Sequence, residues 1–331
     1  MATIEIGTAV SRAGARVDGM FKVADLPDGQ PMQIPVTIVQ GPADGPVLWL
    51  HGCVHGNEYC GAYIIQAFLR GLDPQAVRGT VVALPFLNLT ASQRNQRMSP
   101  FEGYNVGDLN RCFPGKADGG LTDQIGHVVW THLKRHATHL VDFHTALTAD
   151  THWSLVAGHA GKVRDHGLAM ARAFGYSPCL PTPTDMLAGS AMMAAGAAGI
   201  PALIIEAGGI GPAFTPETVR EGADRLRNVA RQVGVVAEKV VDHGRLTLVS
   251  SFAWCKSAHG GLFKPAVRCG QPVKKGGVIG TFFDTHGEKV ADERAPATGV
   301  VLAINPGPLL PQGDILVHIG LEPRLETAAA E

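Results

Sequence analysis

Three short apolar runs, each leading into a titratable residue, constrain the fold of this chain more than any other feature. The runs PVLWL, HLVDF and ALII end at His51, His144 and Glu206. Short, mostly apolar runs of this length, separated by helical patterns, predict buried strands of an α/β sheet that helices cover on both faces. Open sheets of this kind bind ligands at the carboxyl ends of their strands. The sequence therefore predicts a functional site where these runs end.

The alternation of strands and helices extends over most of the chain. Predicted strands cover residues 46–51, 80–85, 139–144 and 202–206. Predicted helices cover residues 58–69, 123–135, 163–174, 189–198 and 216–233. The last helix has the clearest start signal, because Thr215 can cap its N-terminus and Pro216 suits the first helical position.

From residue 244 the pattern changes to short β-like runs separated by glycine turns, such as GGVIGTFF and TGVVLAI. This change predicts a catalytic α/β domain over residues 1–243 and a small β domain over residues 244–331. The second domain resembles the barrel-sandwich scaffold of biotinyl and lipoyl carriers. Lys289 lies near the expected hairpin tip without a carrier motif around it. A domain that covers or shapes the active site is therefore favoured over an acyl carrier.

The composition excludes several classes of partner. The chain has 331 residues, of which 45% are hydrophobic and 17% charged, and its formal net charge is −1, which is typical of a folded protein without a nucleic-acid or membrane partner. The N-terminus lacks the apolar core of a signal peptide, and no apolar run reaches the roughly 18–20 residues of a membrane span. Six scattered cysteines without a CxxC pair predict free thiols in a reducing cytoplasm.

His55, Glu58 and His144 form a pattern that is typical of a catalytic zinc site. Two imidazoles and one carboxylate leave the fourth position of Zn²⁺ to water, whereas structural zinc sites usually close it with sulfur or nitrogen. The i, i+3 spacing of the first pair lets both side chains converge at the first helical turn. Asp142 projects from the same face of its strand as His144. Two roles stay open for Asp142, either orienting the ligand histidine or a purely local cap or salt bridge.

Glu206 stands at the mouth of a buried strand, where a carboxylate needs a partner or a function. Next to a zinc-bound water it would serve as the general base. Arg97 and Arg111 lie in the segment between the two histidine motifs. Arginine offers paired donors to a carboxylate and stabilises a developing oxyanion, so this segment is expected to contact the substrate.

Five motifs occur in an order that resembles the succinylglutamate desuccinylase/aspartoacylase family, whose members are relatives of the zinc carboxypeptidases. The motifs are HGNE at 55–58, NxxAxxxxxR at 88–97, DLNRxFPG at 108–115, DxHT at 142–145 and GIPALIIEAGG at 199–209. The resemblance implies a zinc-carboxypeptidase-like mixed sheet flanked by helices, followed by a small C-terminal β domain. It also implies the zinc-dependent hydrolysis of small N-acyl amino acids.

The resemblance assigns the metal and the base residue by residue. His55, Glu58 and His144 match the ligands of one Zn²⁺ per chain. Glu206 matches the catalytic glutamate.

The resemblance assigns the substrate contacts in the same way. Arg97 matches the arginine that polarises the scissile carbonyl, and Asn110 with Arg111 matches the pair that holds the substrate carboxylate. The segment HGNEYCG is also similar to the HGDEYEG of a bacterial subgroup that includes N-acetyl-diaminobutyrate deacetylases. Asn57 and Cys60 replace an Asp and a Glu of that subgroup motif, so the membership of the subgroup is left open.

Other residues compete for the same roles. His51 lies four residues before His55 and is an alternative metal ligand, although the end of the preceding strand suits it better. Arg94 is an alternative to Arg97 as the arginine at the carbonyl, because loops tolerate shifts of register. Cys53 and Cys60 flank the metal motif and are interpreted as small packing residues.

These patterns predict an enzyme that hydrolyses the amide bond of a small N-acyl amino acid. A carboxypeptidase acting on short peptides would use the same chemistry, and a non-catalytic metal- or amino-acid-binding protein is the alternative from another class. Such a binding protein would be expected to lack Glu206 or a ligand, and none of these residues is missing here. The identity of the acyl group and of the amino-acid side chain stays open, as does a homo-oligomeric state.

Overall fold

The computed structural model describes residues 2–102 and 107–326. The strands, in chain order, are β1 (Glu5–Ile6), β2 (Ala9–Val10), β3 (Ala15–Asp25), β4 (Pro31–Gln40), β5 (Ala43–His51), β6 (Arg78–Leu84), β7 (His139–His144), β8 (His152–Ala157), β9 (Cys179–Thr182), β10 (Ala202–Ala207), β11 (Thr247–Leu248), β12 (Ser251–Lys256), β13 (Gly261–Pro265), β14 (Pro272–Val273), β15 (Val278–Phe283), β16 (Lys289–Arg294), β17 (Gly299–Ile304), β18 (Leu309–Leu310), β19 (Ile315–Leu321) and β20 (Arg324–Leu325). The helices are α1 (Tyr59–Arg70), α2 (Leu89–Gln93), α3 (Leu121–His136), α4 (Lys162–Phe174), α5 (Ala191–Ala197) and α6 (Pro216–Gln232).

A large mixed sheet organises the first part of the chain. In the described ranges its strand order is β20-β11-β9-β8-β10-β7-β5-β6-β4-β3. The three strands at its centre, β10, β7 and β5, run parallel to one another, while β8 and β4 run antiparallel to their neighbours β10 and β6. The predicted α/β fold with a mixed sheet between helices is confirmed.

Helices cover both faces of this sheet and bury a separate core on each. On one face α1, α4 and α6 pack together over Leu50, Phe143 and Ile205. On the other face α3 and α5 pack over Trp49, Leu140 and Ile204. Neighbouring residues of one strand therefore enter different cores, as the alternation of side chains in a strand requires.

This alternation also decides where the polar ends of the central strands point. Trp49 and Leu140 belong to the α3/α5 face, so His51, two residues after Trp49, and Asp142, two residues after Leu140, share that face. Glu206 follows Ile204 by the same interval. The polar side chains of three strands are thus brought to one face and one edge of the sheet.

The C-terminal region forms a small β module, as the sequence predicts. Within the described chain, one sheet has the order β12-β19-β17-β14 and a second has the order β16-β15-β13-β18. Phe263, Phe282 and Leu316 lie in the core between them. The two short strands that flank the module, β11 and β20, pair with each other and extend the edge of the large sheet at β9. The predicted division between residues 243 and 244 stays a prediction.

Two sets of strands lie outside the predicted pattern. The β3–β4 hairpin at the N-terminus forms the far edge of the large sheet, and no strand was predicted there. The segment 152–187 contains the strands β8 and β9 beside the predicted helix α4.

Among the described helices, none combines the length and apolarity that crossing a bilayer would demand.

Candidate functional site

The site begins where the parallel strands β5, β7 and β10 end side by side. His51 is paired in register with Asp142, and His144 with Glu206. The carboxyl ends of neighbouring parallel strands therefore place four titratable residues along one edge of the sheet, where α/β sheets bind ligands.

The loop after β5 contributes His55 and Glu58. Glu58 occupies the N-cap of α1, and its carboxylate is turned toward the histidines instead of capping the helix. Gly56 lies so close to α2 that a Cβ added to it would stand 2.3 Å from the backbone carbon of Ala91. The Gly56 N–H donates to the carbonyl oxygen of Arg97 at 3.1 Å. Glycine at this position therefore lets the ligand loop lie directly against the segment that carries Arg97.

Three buried side chains converge at this edge. Nδ1 of His55 lies 2.8 Å from Oε1 of Glu58, and Nδ1 of His144 lies 2.9 Å from Oε2 of the same carboxylate. The two imidazole nitrogens are 3.2 Å apart. All three donor atoms lie within 4.8 Å of one another, so His55, Glu58 and His144 could together hold a metal ion.

The chemistry of this donor set fits zinc. A His₂Glu set with an open fourth position is typical of hydrolytic zinc sites. Burial alone would raise the pKa of the Glu58 carboxyl, but His55 and His144 outweigh it and hold that pKa well below its usual range. The carboxylate is therefore kept in the ionised form that a cation requires.

Asp142 lies behind His144 on the same strand. Its Oδ2 is 3.3 Å from Nε2 of His144, the ring nitrogen that faces away from Glu58. Burial would lower the pKa of His144, but Asp142 and Glu58 outweigh burial and raise that pKa well above its ordinary value. A carboxylate at the far nitrogen of a histidine is the arrangement that fixes the orientation of a metal-ligating ring.

His51, the alternative ligand, lies outside the converging group. Its Nε2 accepts a hydrogen bond from Nε1 of Trp49 at 2.8 Å, and its Nδ1 is 3.9 Å from Asp142. Burial lowers the pKa of His51 to about 4, which keeps the ring neutral. The His51 ring therefore packs against Trp49 and Asp142, and His51 is the last residue of β5.

Asp108 makes contacts that the sequence motifs do not predict. Its Oδ1 lies 2.9 Å from Nε2 of His55, and its Oδ2 accepts from Nη2 of Arg97 at 3.0 Å. Oδ1 also accepts from the backbone N–H of Asn110 at 2.9 Å. Burial would raise the pKa of Asp108, but His55 and Arg97 hold it well below its usual range. Each of these two histidines thus has a carboxylate at the ring nitrogen that faces away from Glu58, Asp108 for His55 and Asp142 for His144.

Glu206 lies at the end of β10 beside His144. It is only partly exposed, and its Oε2 has no hydrogen-bond partner among the described residues. Burial raises the pKa of Glu206 to about 7, with Glu58 adding to the rise and His144 opposing it. A carboxylate with a pKa near neutrality can both accept and return a proton, as a general base must.

The remaining predicted residues approach from the segment 88–115. Nη1 of Arg97 donates to Oε1 of Glu58 at 3.3 Å, which places its guanidinium at the edge of the converging group. Nη1 of Arg111 donates to the carbonyl oxygen of Asn110 at 2.7 Å, and the Asn110 side chain is buried. Arg97, Asn110 and Arg111 all line the cavity. Among the described residues, Arg94 ends α2 outside the cavity lining, and Cys53 and Cys60 are buried in packing positions.

A cavity of about 350 Å³ lies over these residues. One part of its lining, called the sheet wall below, consists of His55, Glu58, Arg97, Asn110, Arg111, His144, Thr145 and Glu206. A second, apolar part, called the apolar floor, consists of Ala146, Leu147, Trp153, Leu155, Leu187 and Ile204. Its C-terminal wall consists of Phe252, Trp254, Asn305, Asp314, Ile315 and His318. The β module therefore completes the cavity, and this volume suits a small molecule.

Comparisons with known proteins agree with this architecture. Residues 44–233 match the family model of the succinylglutamate desuccinylase/aspartoacylase catalytic domain. An N-alpha-acetyl-L-2,4-diaminobutyric acid deacetylase from Halomonas elongata is 30% identical over 284 residues, which cover 82% of this chain and 81% of the relative.

Solved structures show the same fold over nearly the whole chain. A succinylglutamate desuccinylase/aspartoacylase from Rhodobacter sphaeroides is 26% identical, with a TM-score of 0.78 over 92% of this chain and 95% of that chain. A succinylglutamate desuccinylase from Silicibacter sp. TM1040 is 25% identical, with a TM-score of 0.81 over 98% of both chains.

The mixed sheet with its C-terminal β module is therefore the fold of a family of deacylases. The chain belongs to the succinylglutamate desuccinylase/aspartoacylase family.

Proposed function

We propose that this chain is a zinc-dependent hydrolase that cleaves the amide bond of a small N-acyl amino acid. The observation that carries the proposal is the convergence of His55, Glu58 and His144 beside the partnerless carboxylate oxygen of Glu206. The deacetylase from Halomonas elongata supports this reaction type.

One zinc ion per chain would be held by His55, Glu58 and His144. When bound, zinc supplies a Lewis acid that lowers the pKa of water and polarises a carbonyl oxygen. Asp108 and Asp142 would fix the two histidine rings through their outer nitrogens.

Glu206 would move the protons of the reaction. Its carboxylate takes a proton from the attacking water while the water oxygen forms a bond to the acyl carbon. The same proton then passes to the amide nitrogen as the carbon–nitrogen bond breaks, so the products are a carboxylic acid and a free amine. The raised pKa of Glu206, about 7, suits both transfers.

Arginine side chains would position the substrate at its two polar ends. Arg97 lies against Glu58, where its guanidinium can contact the scissile carbonyl as negative charge develops on the oxygen. Arg111, next to the buried Asn110, offers two parallel donors to the free carboxylate of the amino acid.

The apolar floor indicates what kind of acyl group fits. Ile204 precedes Glu206 on the same face of β10 and is paired with Leu155 of β8. In the described cavity lining the cations are Arg97 and Arg111, and neither belongs to the floor. A succinyl group would bring a second carboxylate to this floor without a partner, which is costly. We therefore propose an apolar acyl group such as acetyl.

The cavity is small, about 350 Å³, and the β module contributes part of its lining, so small substrates are favoured over long peptides. The scattered cysteines favour the reducing cytoplasm as the setting of this activity.

Hydrolysis of N-acetyl-L-norleucine and of N-succinyl-L-norleucine by the zinc-loaded protein tests the proposal. We expect the acetyl substrate to be cleaved and to be preferred. Glu206→Gln should retain zinc and lose about 10²–10⁴-fold in kcat, because an amide cannot accept the proton of water.

Glu288→Gln is the matched control, since Glu288 is an exposed carboxylate of the β module outside the cavity. It should leave kcat unchanged. Near-normal turnover of the zinc-loaded Glu206→Gln variant would show that another group is the base. A lack of hydrolysis of both substrates by the unmodified protein would refute the proposed reaction.

A further inference from the structure

His51 is a fully buried titratable residue that the proposed reaction does not use. It ends β5 and is paired in register with Asp142 of β7, the carboxylate behind His144. A buried imidazole and a buried carboxylate cost free energy unless each supplies the hydrogen-bonding group that the other lacks. The contribution of His51 is therefore decided by which of its ring nitrogens carries the proton.

Trp49 decides the protonation of the His51 ring. The indole nitrogen Nε1 can only donate a hydrogen bond, and in Trp49 it lies 2.8 Å from Nε2 of His51. Nε2 is therefore the unprotonated nitrogen. Burial lowers the pKa of His51 to about 4, so near pH 7 the ring is neutral and carries its single proton on Nδ1.

The protonated nitrogen of His51 is directed toward Asp142. Nδ1 lies 3.9 Å from Oδ1 of Asp142, and neither atom has another hydrogen-bond partner among the residues that the structure describes. This distance exceeds the roughly 2.7–3.2 Å of a hydrogen bond, and a small movement of either side chain or a bridging water closes it. A donor therefore faces an acceptor at this contact.

Aromatic neighbours hold the His51 ring in place. The Phe113 ring lies nearly parallel to it, with centroids 6.2 Å apart and planes at 25°, and Trp49 meets it edge-on at 82°. Phe113 is itself fixed, because its backbone N–H donates to the carbonyl oxygen of Gly189 at 2.8 Å. The direction of Nδ1 is thus set by packing.

The two carboxylates behind the proposed zinc ligands are compensated differently. Asp108, behind His55, is paired with Arg97 at 3.0 Å. Asp142 is fully buried, and within the described ranges its ion-pair contacts are His51 and His144 alone. Since Oδ2 of Asp142 faces His144, Oδ1 depends on His51. A neutral donor stabilises the carboxylate without cancelling its charge, which stays available to the imidazole on the other side.

We propose that His51 is a positioning residue for His144, because its Nδ1–H holds the Asp142 carboxylate that orients the His144 ring. This inference rests on the proposed function, in which His144 is a zinc ligand. His51 then supports the metal through Asp142 and contacts neither the metal nor the substrate.

The protonation of His51 is tested first, in the metal-free unmodified protein with isotope-labelled histidine. Long-range proton–nitrogen correlation spectra at about pH 7 should show a His51 ring that is protonated at Nδ1 and unprotonated at Nε2. The ring is assigned by its contacts with Trp49 and Phe113. Protonation at Nε2 would overturn the inference, and this measurement needs no variant to fold.

Zinc affinity, measured by competition with a chelator, tests the positioning role. His51→Phe keeps an aromatic ring but removes the donor, and it should weaken zinc binding about tenfold. His51→Asn keeps an N–H donor near the position of Nδ1 and should restore most of that affinity. Because both variants lose the acceptor for Trp49, both should lower the free energy of unfolding of the metal-free protein. Equal losses of zinc affinity in the two variants would indicate a merely structural role and overturn the inference.

A double-mutant cycle shows whether His51 acts through Asp142. Asp142→Asn alone should weaken zinc binding about 10–100-fold, and His51→Phe should add little to that loss, since the two changes remove one interaction. His132→Phe is the matched control, because His132 of α3 packs edge-on against Phe21 and does not line the cavity, and it should leave zinc affinity unchanged.

The outcomes separate this inference from the proposed function. Fully additive losses in the cycle, or an unchanged zinc affinity in His51→Phe, would overturn the role of His51 and leave the proposed reaction intact. An unmodified protein that binds no zinc would refute the proposed function and the role of His51 together.

Discussion

On the sheet wall of the cavity, titratable side chains touch one another and most of them are buried. On the C-terminal wall the rings of Phe252, Trp254 and His318 pack together, and the carboxylate of Asp314 has no ion-pair partner in the described chain. Glu58 contacts both His55 and His144, and each histidine has a further carboxylate behind it. Buried charges are tolerated only with such compensation, so a change to one member affects all the others. The C-terminal wall lacks this mutual dependence, and its residues can set specificity without disturbing the reaction.

The largest expected effect tests the mutual dependence of the sheet wall. His144→Ala removes one of the three proposed zinc ligands and should abolish stoichiometric zinc binding and hydrolysis together. Elemental analysis should find about one zinc per chain before the change and almost none after it. His286→Ala, an exposed histidine of the β module, should keep both. Unchanged metal occupancy in His144→Ala would refute this ligand set.

A smaller effect on zinc binding is expected from Asp108, which contacts His55 but is not itself a proposed ligand. Asp108→Asn keeps the acceptor for Asn110 N but removes the charge beside His55 and Arg97. The affinity for zinc, measured by competition with a chelator, should fall about 10–100-fold.

Asp73→Asn offers a close control for this change. Asp108 precedes a short 3₁₀ turn, Leu109–Arg111, and Asp73 precedes another, Pro74–Ala76. Asp73 accepts from Gln75 N at 2.9 Å and does not line the cavity. The Asp73→Asn variant should bind zinc with the same affinity as the unmodified protein. Equal zinc affinities of all three proteins would show that the charge of Asp108 does not support the metal.

The next effect concerns the substrate side of the sheet wall. Arg111→Lys replaces two parallel donors by a point charge and should raise KM for N-acetyl amino acids about tenfold. Amidation of the substrate carboxylate should raise KM of the unmodified protein similarly, and the two losses should not add, since they remove one interaction. Arg94→Lys, outside the cavity, should leave KM as it is. Additive losses would place the carboxylate anchor elsewhere.

The smallest effect belongs to the C-terminal wall and concerns stability. His318 has its pKa lowered to about 4 by burial, so the unfolded chain binds a proton more readily than the folded one. The neutral ring therefore makes its full contribution to the free energy of unfolding above the ordinary pKa near 6.5. This contribution is lost as the pH falls toward 4. Between about pH 7.5 and about pH 5 this loss amounts to about 1–2 kcal/mol.

Urea unfolding of His318→Phe measures this contribution. The variant lacks the titrating ring and should lose less free energy of unfolding than the unmodified protein over the same pH interval. An equal loss in both proteins would mean that His318 does not titrate against folding.

The strand ends of the sheet wall could be predicted because the apolar runs of the sequence coincide with the buried central strands. β7 spans the predicted residues 139–144, and α1 spans Tyr59–Arg70 where residues 58–69 are predicted. The buried spacing of Ile64, Ile65 and Phe68 is that of one helix face. Asp108 is 53 residues from His55, and spacing along the chain contains no information about that contact. The family motif favours Arg97 over Arg94, but the residues alone leave both open, since the path of the chain after α2 decides which arginine lines the cavity.

The C-terminal wall was less predictable for a physical reason. The pairing of Trp254 with His318 depends on the register of β12 and β19, which shifts at a bulge between Cys255 and Lys256. A shift of one residue turns a side chain to the opposite face, so hydrophobic alternation alone cannot show which rings reach the cavity. The β3–β4 hairpin was missed because its partners are set by long-range pairing with β6.

The way in which the β module is attached has a further consequence. The chain enters the module through β11 and leaves it through β20, and these strands pair as Thr247 with Leu325 and Leu248 with Arg324. Ser250 N donates to Leu321 O at 3.1 Å, so the two connections stay together up to the module itself. Domains whose entry and exit are adjacent can be exchanged as a unit without rerouting the host chain. A short turn joining β11 to β20 would leave the edge of the large sheet intact, and grafting another module onto this stem would give the same catalytic edge a different substrate range.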